Sequence, residues 1–279
     1  MKSKTTRAHR GVRAALMCGL LFAPGCNMLK NLPGLQQPAP MNVAGNWQID
    51  LMQSSGNVGG VATGFLQQSG NSLSGGFDLP ACASSSTATG TVGGNSGPDA
   101  ISLSLSVDSQ TLSIVASGVG TIAPGTAIEG NYTVGAISCP ISGLTATASG
   151  QQINSLTGSF HGSLQSTGGN TFSIAGTATQ GQYASGSSAP VTGTATASGS
   201  SCFNSLNLTG TISGTSVNWQ LASSDGTQVI QLVAPPNTAA GQLLSGSPGT
   251  FTITQLPGTY NVTAGACSGD TGTFAFSLP

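Results

Sequence analysis

A two-residue alternation of apolar and polar side chains most limits what this chain can fold into. Residues 101–106 read Ile-Ser-Leu-Ser-Leu-Ser, and residues 191–196 and 206–209 repeat the pattern with Thr or Asn between the smaller or apolar residues. Because successive side chains of a strand point to opposite faces, this period predicts strands with one buried and one solvated face. Beyond residue 25 no segment has a helical period. The sequence therefore predicts an all-β protein.

The surroundings of four cysteines repeat in the two halves of the chain. Cys82 precedes a Thr-Gly-Thr-Val segment at the spacing with which Cys202 precedes Thr-Gly-Thr-Ile. A Gly-x-Tyr segment likewise precedes Cys139 and Cys267 at equal distance. Landmarks in the same order at near-constant spacing indicate an internal duplication. We therefore expect two repeat units, residues 43–150 and 151–279.

Each unit contains its own pair of cysteines. Four cysteines allow three pairings, and the duplication favours Cys82–Cys139 and Cys202–Cys267, because a repeat copies its internal bonds. Each bridge would close a loop of about 60 residues and would stabilise the fold by roughly 4 kcal/mol on the chain-entropy account.

Each unit holds about eight strand-like segments separated by turn sequences such as Gly70-Asn71 and Asp225-Gly226. Tight turns predict antiparallel neighbours. Soluble sheets often protect open edges with Lys, but this chain has no Lys after Lys30. Closing the sheet removes the edges, and eight strands suit a small barrel. We predict two eight-stranded up-and-down barrels; two β-sandwiches, or one sheet shared by both units, are the alternatives.

Gly45-Asn46-Trp47, early in the first predicted strand, resembles the opening of lipocalins. The resemblance covers this tripeptide and implies a barrel whose cavity holds a small apolar ligand. Trp47 and Trp219 are then candidate ligand-binding residues, and filling of the barrel core is the alternative for both.

All six Lys and Arg residues of the chain lie in its first thirty positions: Lys2, Lys4, Arg7, Arg10, Arg13 and Lys30. From Cys26 onward one Lys stands against seven Asp and Glu, which gives a formal charge of −6. Nucleic-acid binding is excluded as an expected function, because phosphate recognition depends on Lys and Arg.

The N-terminus has the order of an export leader. Basic residues are followed by a short apolar run, residues 14–22, and then by Ala23-Pro24-Gly25-Cys26. This order is typical of a secretory signal peptide, and the run is shorter than the roughly 20 residues that span a bilayer. The cysteine after Gly25 resembles the lipobox of bacterial lipoproteins, in which that Cys becomes the first mature residue and carries the lipid. The resemblance covers residues 1–26 and departs from the family at Ala23, where Leu or Val is preferred; cleavage after Gly25 without a lipid is the alternative.

These patterns predict a signal peptide at residues 1–25 and a lipidated, flexible tether at residues 26–42. Lipid on Cys26 would anchor the protein in the cell envelope, at the outer membrane or cell surface rather than the inner membrane. The expected partners are the membrane and either an envelope protein or a small apolar ligand.

The mature chain offers little for catalysis. His161 is its only histidine, the acidic residues are scattered, and no Gly-x-Ser-x-Gly segment occurs. We therefore expect no enzyme activity, no metal and no cofactor. The sequence favours a structural or interaction role at the cell envelope, with lipocalin-like binding as the alternative.

Overall fold

The computed structural model describes residues 42–82, 84–93, 100–107, 110–118, 127–135, 145–236, 244–245 and 251–278. Within these ranges the chain is mostly strand and contains no α-helix. The strands form two closed antiparallel barrels of eight strands each. The prediction of an all-β protein with two eight-stranded barrels is confirmed, and the sandwich and shared-sheet alternatives are not what the chain adopts.

The first barrel is an unbroken meander. Its strands are β1 (Gly45–Met52), β2 (Val58–Ser69), β3 (Ser72–Leu79), β4 (Ser84–Val92), β5 (Ala100–Val107), β6 (Gln110–Gly118), β7 (Ala127–Val134) and β8 (Thr145–Ile153). Each strand pairs with the next, and β1 also pairs with β8, which closes the barrel. One 3₁₀ turn, Pro80–Cys82, separates β3 from β4.

The second barrel repeats this order with one addition. Its strands are β9 (Thr157–Ser166), β10 (Thr171–Gln180), β11 (Ala189–Ser198), β12 (Ser205–Ser213), β13 (Ser216–Ala222), β14 (Val229–Ala234), β17 (Gln255–Ala264) and β18 (Thr271–Ser277). Pairing of β18 with β9 closes the barrel. Between β14 and β17 lies a two-stranded sheet of β15 (Leu244–Ser245) and β16 (Thr252–Ile253), which the sequence patterns did not predict.

Large apolar side chains fill both interiors, as the alternation requires. The first core contains fully buried residues that include Trp47, Ile49, Leu51, Phe77, Leu103, Leu105, Leu112, Ile114 and Tyr132. The second contains Phe160, Leu164, Phe172, Trp219, Leu221, Leu232, Tyr260, Phe274 and Phe276. The hydroxyl residues between them on most strands face outward, which places one polar and one apolar face on each strand.

Cys82 and Cys202 occupy equivalent places in the two barrels. Cys202 lies between β11 and β12 and is bonded to Cys267, between β17 and β18, with their Cα atoms 6.0 Å apart. Cys82, between β3 and β4, is also disulfide-bonded. Its predicted partner Cys139 lies outside the described residues, so the Cys82–Cys139 pairing stays a prediction. Cys26, the predicted lipid site, also lies outside them.

Candidate binding groove at the barrel junction

The two predicted ligand-binding residues lie inside the barrels. Trp47 is completely buried, and its indole N–H donates to the carbonyl oxygen of Val43 at 2.7 Å. Trp219 is equally buried, and its ring lies 5.8 Å from that of Phe160. The indole Nε1 of Trp219 has no hydrogen-bond partner within the described part of the chain. Both side chains therefore fill a core, and ligand contact at these positions stays a prediction.

A different site forms where the barrels meet. Residues 39–279 form one compact unit that contains both barrels. The outward faces of β1 and β2 are buried: Asn46, Gln48 and Thr63 are each at most 2 % exposed. On the equivalent β9 and β10, by contrast, the outward residues are mostly exposed. The first barrel thus offers these two strands to the second as a docking surface.

The hairpin between β12 and β13 makes the polar contact at this junction. Its turn residue Gly214 has φ +58°, a left-handed conformation that glycine adopts without a steric penalty. The amide nitrogen of Gly214 donates to Asn46 Oδ1 at 2.6 Å, and Asn46 Nδ2 donates back to the carbonyl oxygen of Gly214 at 2.9 Å. One side-chain amide therefore satisfies both backbone groups of a buried turn.

The residues that flank Gly214 continue this network. The hydroxyl of Thr215 donates to Gln48 Oε1 at 2.6 Å, and Ser213 donates to the hydroxyl of Thr63 at 3.1 Å. Gln48 Nε2 donates to Asp50 Oδ1 at 3.1 Å. Burial raises the pKa of Asp50, and the Gln48 hydrogen bond opposes part of that rise. The junction is a buried, hydrogen-bonded contact.

An aromatic contact lies beside the polar one. The rings of Phe65 on β2 and Tyr183, which follows β10, stack with centroids 4.9 Å apart and planes 6° from parallel. The Tyr183 hydroxyl donates to the carbonyl oxygen of Gly186 at 2.6 Å. A Cβ atom on Gly76 would lie 2.2 Å from that same carbonyl, so only glycine permits this approach. Phe65 thus leaves its own barrel's core and packs with the second core.

The segment that joins the barrels is also fixed. Ile153 bridges to Phe251, and the amide nitrogen of Asn154 donates to the carbonyl oxygen of Phe251 at 2.8 Å. Asn154 Nδ2 donates to the hydroxyl of Thr252 at 3.2 Å. The extra strand β16 therefore holds the connection between the two barrels in place.

A groove of about 860 Å³ lies against this junction. It is lined by residues 44–46, 65–69, 74 and 152–153 of the first barrel, residues 154–155 of the connection and residues 180–183 of the second barrel. The lining contains neither acidic nor basic side chains. Amides predominate in it: Asn46, Gln67, Gln68, Gln152, Asn154, Gln180 and Gln182.

Some of these amides are held in place by the protein. Gln68 accepts from the amide nitrogen of Val43 at 2.8 Å and donates to the carbonyl oxygen of Gly70 at 3.0 Å. Gln152 donates to the carbonyl oxygen of Ala44, and Gln180 accepts from the amide nitrogen of Leu156 at 3.1 Å.

Two other amides of the lining lack such anchors. The side chains of Gln67 and Gln182 make no hydrogen bond within the described part of the chain. Because a primary amide donates two hydrogen bonds and accepts two more, these two side chains are available to a ligand.

Outside the groove the described residues offer little chemistry. His161 is exposed on β9, next to Ala175 and Ser277 on the neighbouring strands. The described residues contain no group of three or more His, Cys, Asp or Glu side chains placed to hold a metal ion. They also include no helix of the length and apolarity that crossing a bilayer requires.

One acidic group is built into the end of the second barrel. Asp270 accepts hydrogen bonds from the hydroxyls of Tyr260, at 2.9 Å, and Ser166. Burial, followed by the hydrogen bond and the charge of Asp270, raises the pKa of Tyr260 to about 12. The hydrogen bonds hold this carboxylate inside a structural network.

Sequence reasoning did not find the groove, and one signal pointed toward it. Residues 61–66 of β2 are all buried, with Phe65 and Leu66 adjacent, which breaks the alternation seen in β10. A strand buried on both faces must be covered on its outer face by another part of the molecule.

No family model, no curated protein and no solved structure matches the chain.

Proposed function

We propose that this protein is an exported, lipid-anchored envelope protein with a structural or interaction role and without catalytic activity. The leader and Cys26 support export and anchoring. The Cys202–Cys267 disulfide is in keeping with an oxidising compartment. The lipid would hold the membrane-proximal end, and the paired barrels would present their outer surfaces to partners.

The observation that carries this proposal is the filling of both barrels. An eight-stranded barrel is wide enough either to be packed by its own side chains or to hold one small ligand. Here bulky residues such as Trp47, Phe77 and Tyr132 are completely buried in one continuous cluster, and the second barrel is packed in the same way. Packed interiors favour a role for the outer surface.

Anchoring is tested by changing the cysteine that would carry the lipid. Cys26→Ala in the full-length chain should move the protein from the membrane fraction to the soluble fraction and remove a diacyl or triacyl mass from the N-terminal peptide. Cys18→Ala is the matched control, because Cys18 lies within the leader that is cut away. An unmodified Cys26 at the mature N-terminus of the unaltered protein would refute the anchor.

One observation favours the alternative, a lipocalin-like ligand inside the second barrel. Trp219 Nε1 is buried and lacks an acceptor among the described residues, and a small, mostly apolar ligand with one acceptor atom would satisfy it. Titration with a fluorescent fatty acid tests this alternative. Saturable quenching of Trp emission that is lost in Trp219→Phe but kept in Trp47→Phe would favour interior binding; no quenching would leave the surface role.

A further inference from the structure

We propose that the junction groove binds a neutral, polyhydroxylated ligand of the saccharide class. The inference deepens the interaction role proposed above and rests on it, since it names the chemistry of one partner. It depends on three properties of the groove: its size, its uncharged hydrogen-bonding lining and its fixed walls.

The groove has the size of a binding site. Ligand sites in proteins typically measure about 300–1,000 Å³, and this groove measures about 860 Å³. It lies on the outside of both barrels, so a chain longer than one sugar ring can extend from it into solvent. An elongated ligand is therefore accommodated without opening either barrel core.

The lining selects against charged ligands. Neither Lys, Arg nor His stands in it to hold a carboxylate or phosphate, and neither Asp nor Glu to hold a cation. Transfer of a charge into a site without a partner is costly. Neutral ligands do not bear this cost, so the groove favours them over anionic or cationic ones.

The polar groups in the lining match a ligand with many hydroxyls. A hydroxyl both donates and accepts, and so does a primary amide. The unanchored amides of Gln67 and Gln182 lie on opposite barrels, and the hydroxyls of Ser69, Ser74 and Ser155 complete the polar lining. A ligand with hydroxyls on both of its edges can bond to both walls at once.

The half-buried ring of Tyr183, which stacks on the buried ring of Phe65, supplies an apolar surface beside these polar groups. Phe65 and Tyr183 both line the groove and are held by their stacking on each other. A saccharide ring carries C–H groups on its faces and hydroxyls on its rim, so it can cover aromatic surface while its rim is hydrogen-bonded.

Apart from the side chains of Gln67 and Gln182, much of the groove wall is already organised before the ligand arrives. Gln68, Gln152 and Gln180 are already hydrogen-bonded to the backbone, and the Asn46–Gly214 contact fixes one barrel against the other. Preorganised sites avoid the entropic cost of ordering on binding.

Calorimetric titration of the full-length protein tests the proposal. The protein is purified from whichever cell fraction holds it, in a polyoxyethylene detergent that contains no sugar. The neutral probes are hexasaccharides of glucose and of N-acetylglucosamine in several linkages. A hexamer of galacturonic acid is the anionic probe, and an uncharged decapeptide of Gly, Ser and Asn is the peptide probe.

We expect at least one neutral hexasaccharide to bind and the galacturonic acid hexamer to bind more weakly. Gln67→Ala and Gln182→Ala should each weaken binding roughly threefold to tenfold, the range for one lost hydrogen bond. Gln165→Ala is the matched control, because Gln165 is an exposed glutamine on β9 outside the groove. It should leave affinity unchanged.

Three results would overturn the inference: no binding of any neutral hexasaccharide, equal loss of affinity in the control variant, or binding of the decapeptide alone. Since the titration does not depend on lipid attachment, a failed Cys26 experiment would not affect it. Conversely, a titration that shows no saccharide binding would not contradict the proposal of a membrane-anchored protein with a surface role.

Discussion

Asn46 shows how one side chain can hold two parts of this molecule together. It lies on the outer face of β1, 2 % exposed, and it satisfies both the N–H and the carbonyl of Gly214 in the other barrel. Nothing else in the described surroundings of that buried turn donates to or accepts from these backbone groups. The amide therefore acts where water would otherwise be needed.

Asn46→Ala should destabilise the protein by about 2–6 kcal/mol, because two buried backbone groups lose their partners at about 1–3 kcal/mol each. Urea unfolding measures the change. Asn218→Ala is the control, since Asn218 is exposed on β13 and substitutions at such positions usually stay within about 0.5 kcal/mol. Equal midpoints for Asn46→Ala and the unaltered protein would contradict the role of this contact.

The raised pKa of Tyr260 makes the stability of the second barrel depend on pH in the alkaline range. Its pKa rises from 10.0 to about 12 through burial and then through Asp270, so the folded state holds its proton more tightly than the unfolded chain does. The resulting stability is fully present below pH 10 and is lost as the pH rises toward about 12.

Spectrophotometric titration should show a tyrosine that ionises near pH 12 in the native protein and is missing from Tyr260→Phe. The loss of unfolding free energy over this alkaline range should be smaller in the variant than in the unaltered chain. Tyr183→Phe, which removes a hydroxyl bonded to Gly186, should keep the transition near pH 12. A transition that survives in Tyr260→Phe would show that the assignment to this residue is wrong.

At the level of strands, alternation predicted the strands, and the duplication, the eight segments per unit and the absence of Lys then predicted the two barrels. Alternation is informative because a barrel strand has one face in the core and one in solvent, so each apolar residue indicates which face of the strand points into the core. It fails on β1 and β2, whose outer residues Asn46, Gln48 and Thr63 are polar yet buried. When a distant part of the chain buries a polar residue, the alternation of polar and apolar residues along the strand does not change, so the sequence does not reveal the burial.

The groove escaped sequence reasoning for the same physical reason. Its walls come from separate parts of the sequence: Gln67, near the end of β2, and Gln182, just after β10, are 115 positions apart, and each is an ordinary amide. Only the docking of one barrel on the other brings them together. The two-residue strands β15 and β16 are likewise too short to carry a period.

The Cys202–Cys267 bridge ties the β11–β12 connection to the β17–β18 turn across 65 residues. Replacement of both cysteines with Ala should lower the free energy of unfolding by roughly 4 kcal/mol, mainly because the unfolded chain gains freedom. Denaturant unfolding of this double variant without reductant provides the measurement. Stability equal to that of the unaltered protein would show that the crosslink contributes nothing beyond the packed barrel.

Considered as a whole, the sequence joins a basic N-terminal segment to a long remainder without Lys or Arg. From Asn31 to the last residue there is neither, and the formal charge from Cys26 onward is −6, from one Lys and seven acids. Its interactions with partners therefore use hydroxyls, amides, carboxylates and apolar surface, but no Lys or Arg. The groove at the junction is lined by the uncharged part of this set.

Trypsin should leave residues 31–279 intact even after reduction and full denaturation, because its cleavage sites are absent there. Mass spectrometry of the digest should show this segment as one fragment. Chymotrypsin is the control, since it cuts after the Phe, Tyr and Trp residues of the same denatured chain. Tryptic fragments from within the segment would be incompatible with the sequence.

Each barrel strand is paired on both sides, so neither barrel offers a free row of backbone donors and acceptors to a neighbouring copy. Proteins that stay dispersed through mutual charge repulsion clump when salt screens that repulsion. Ring closure does not depend on ionic strength, so raising the salt concentration should create no strand edge through which copies of this protein could associate.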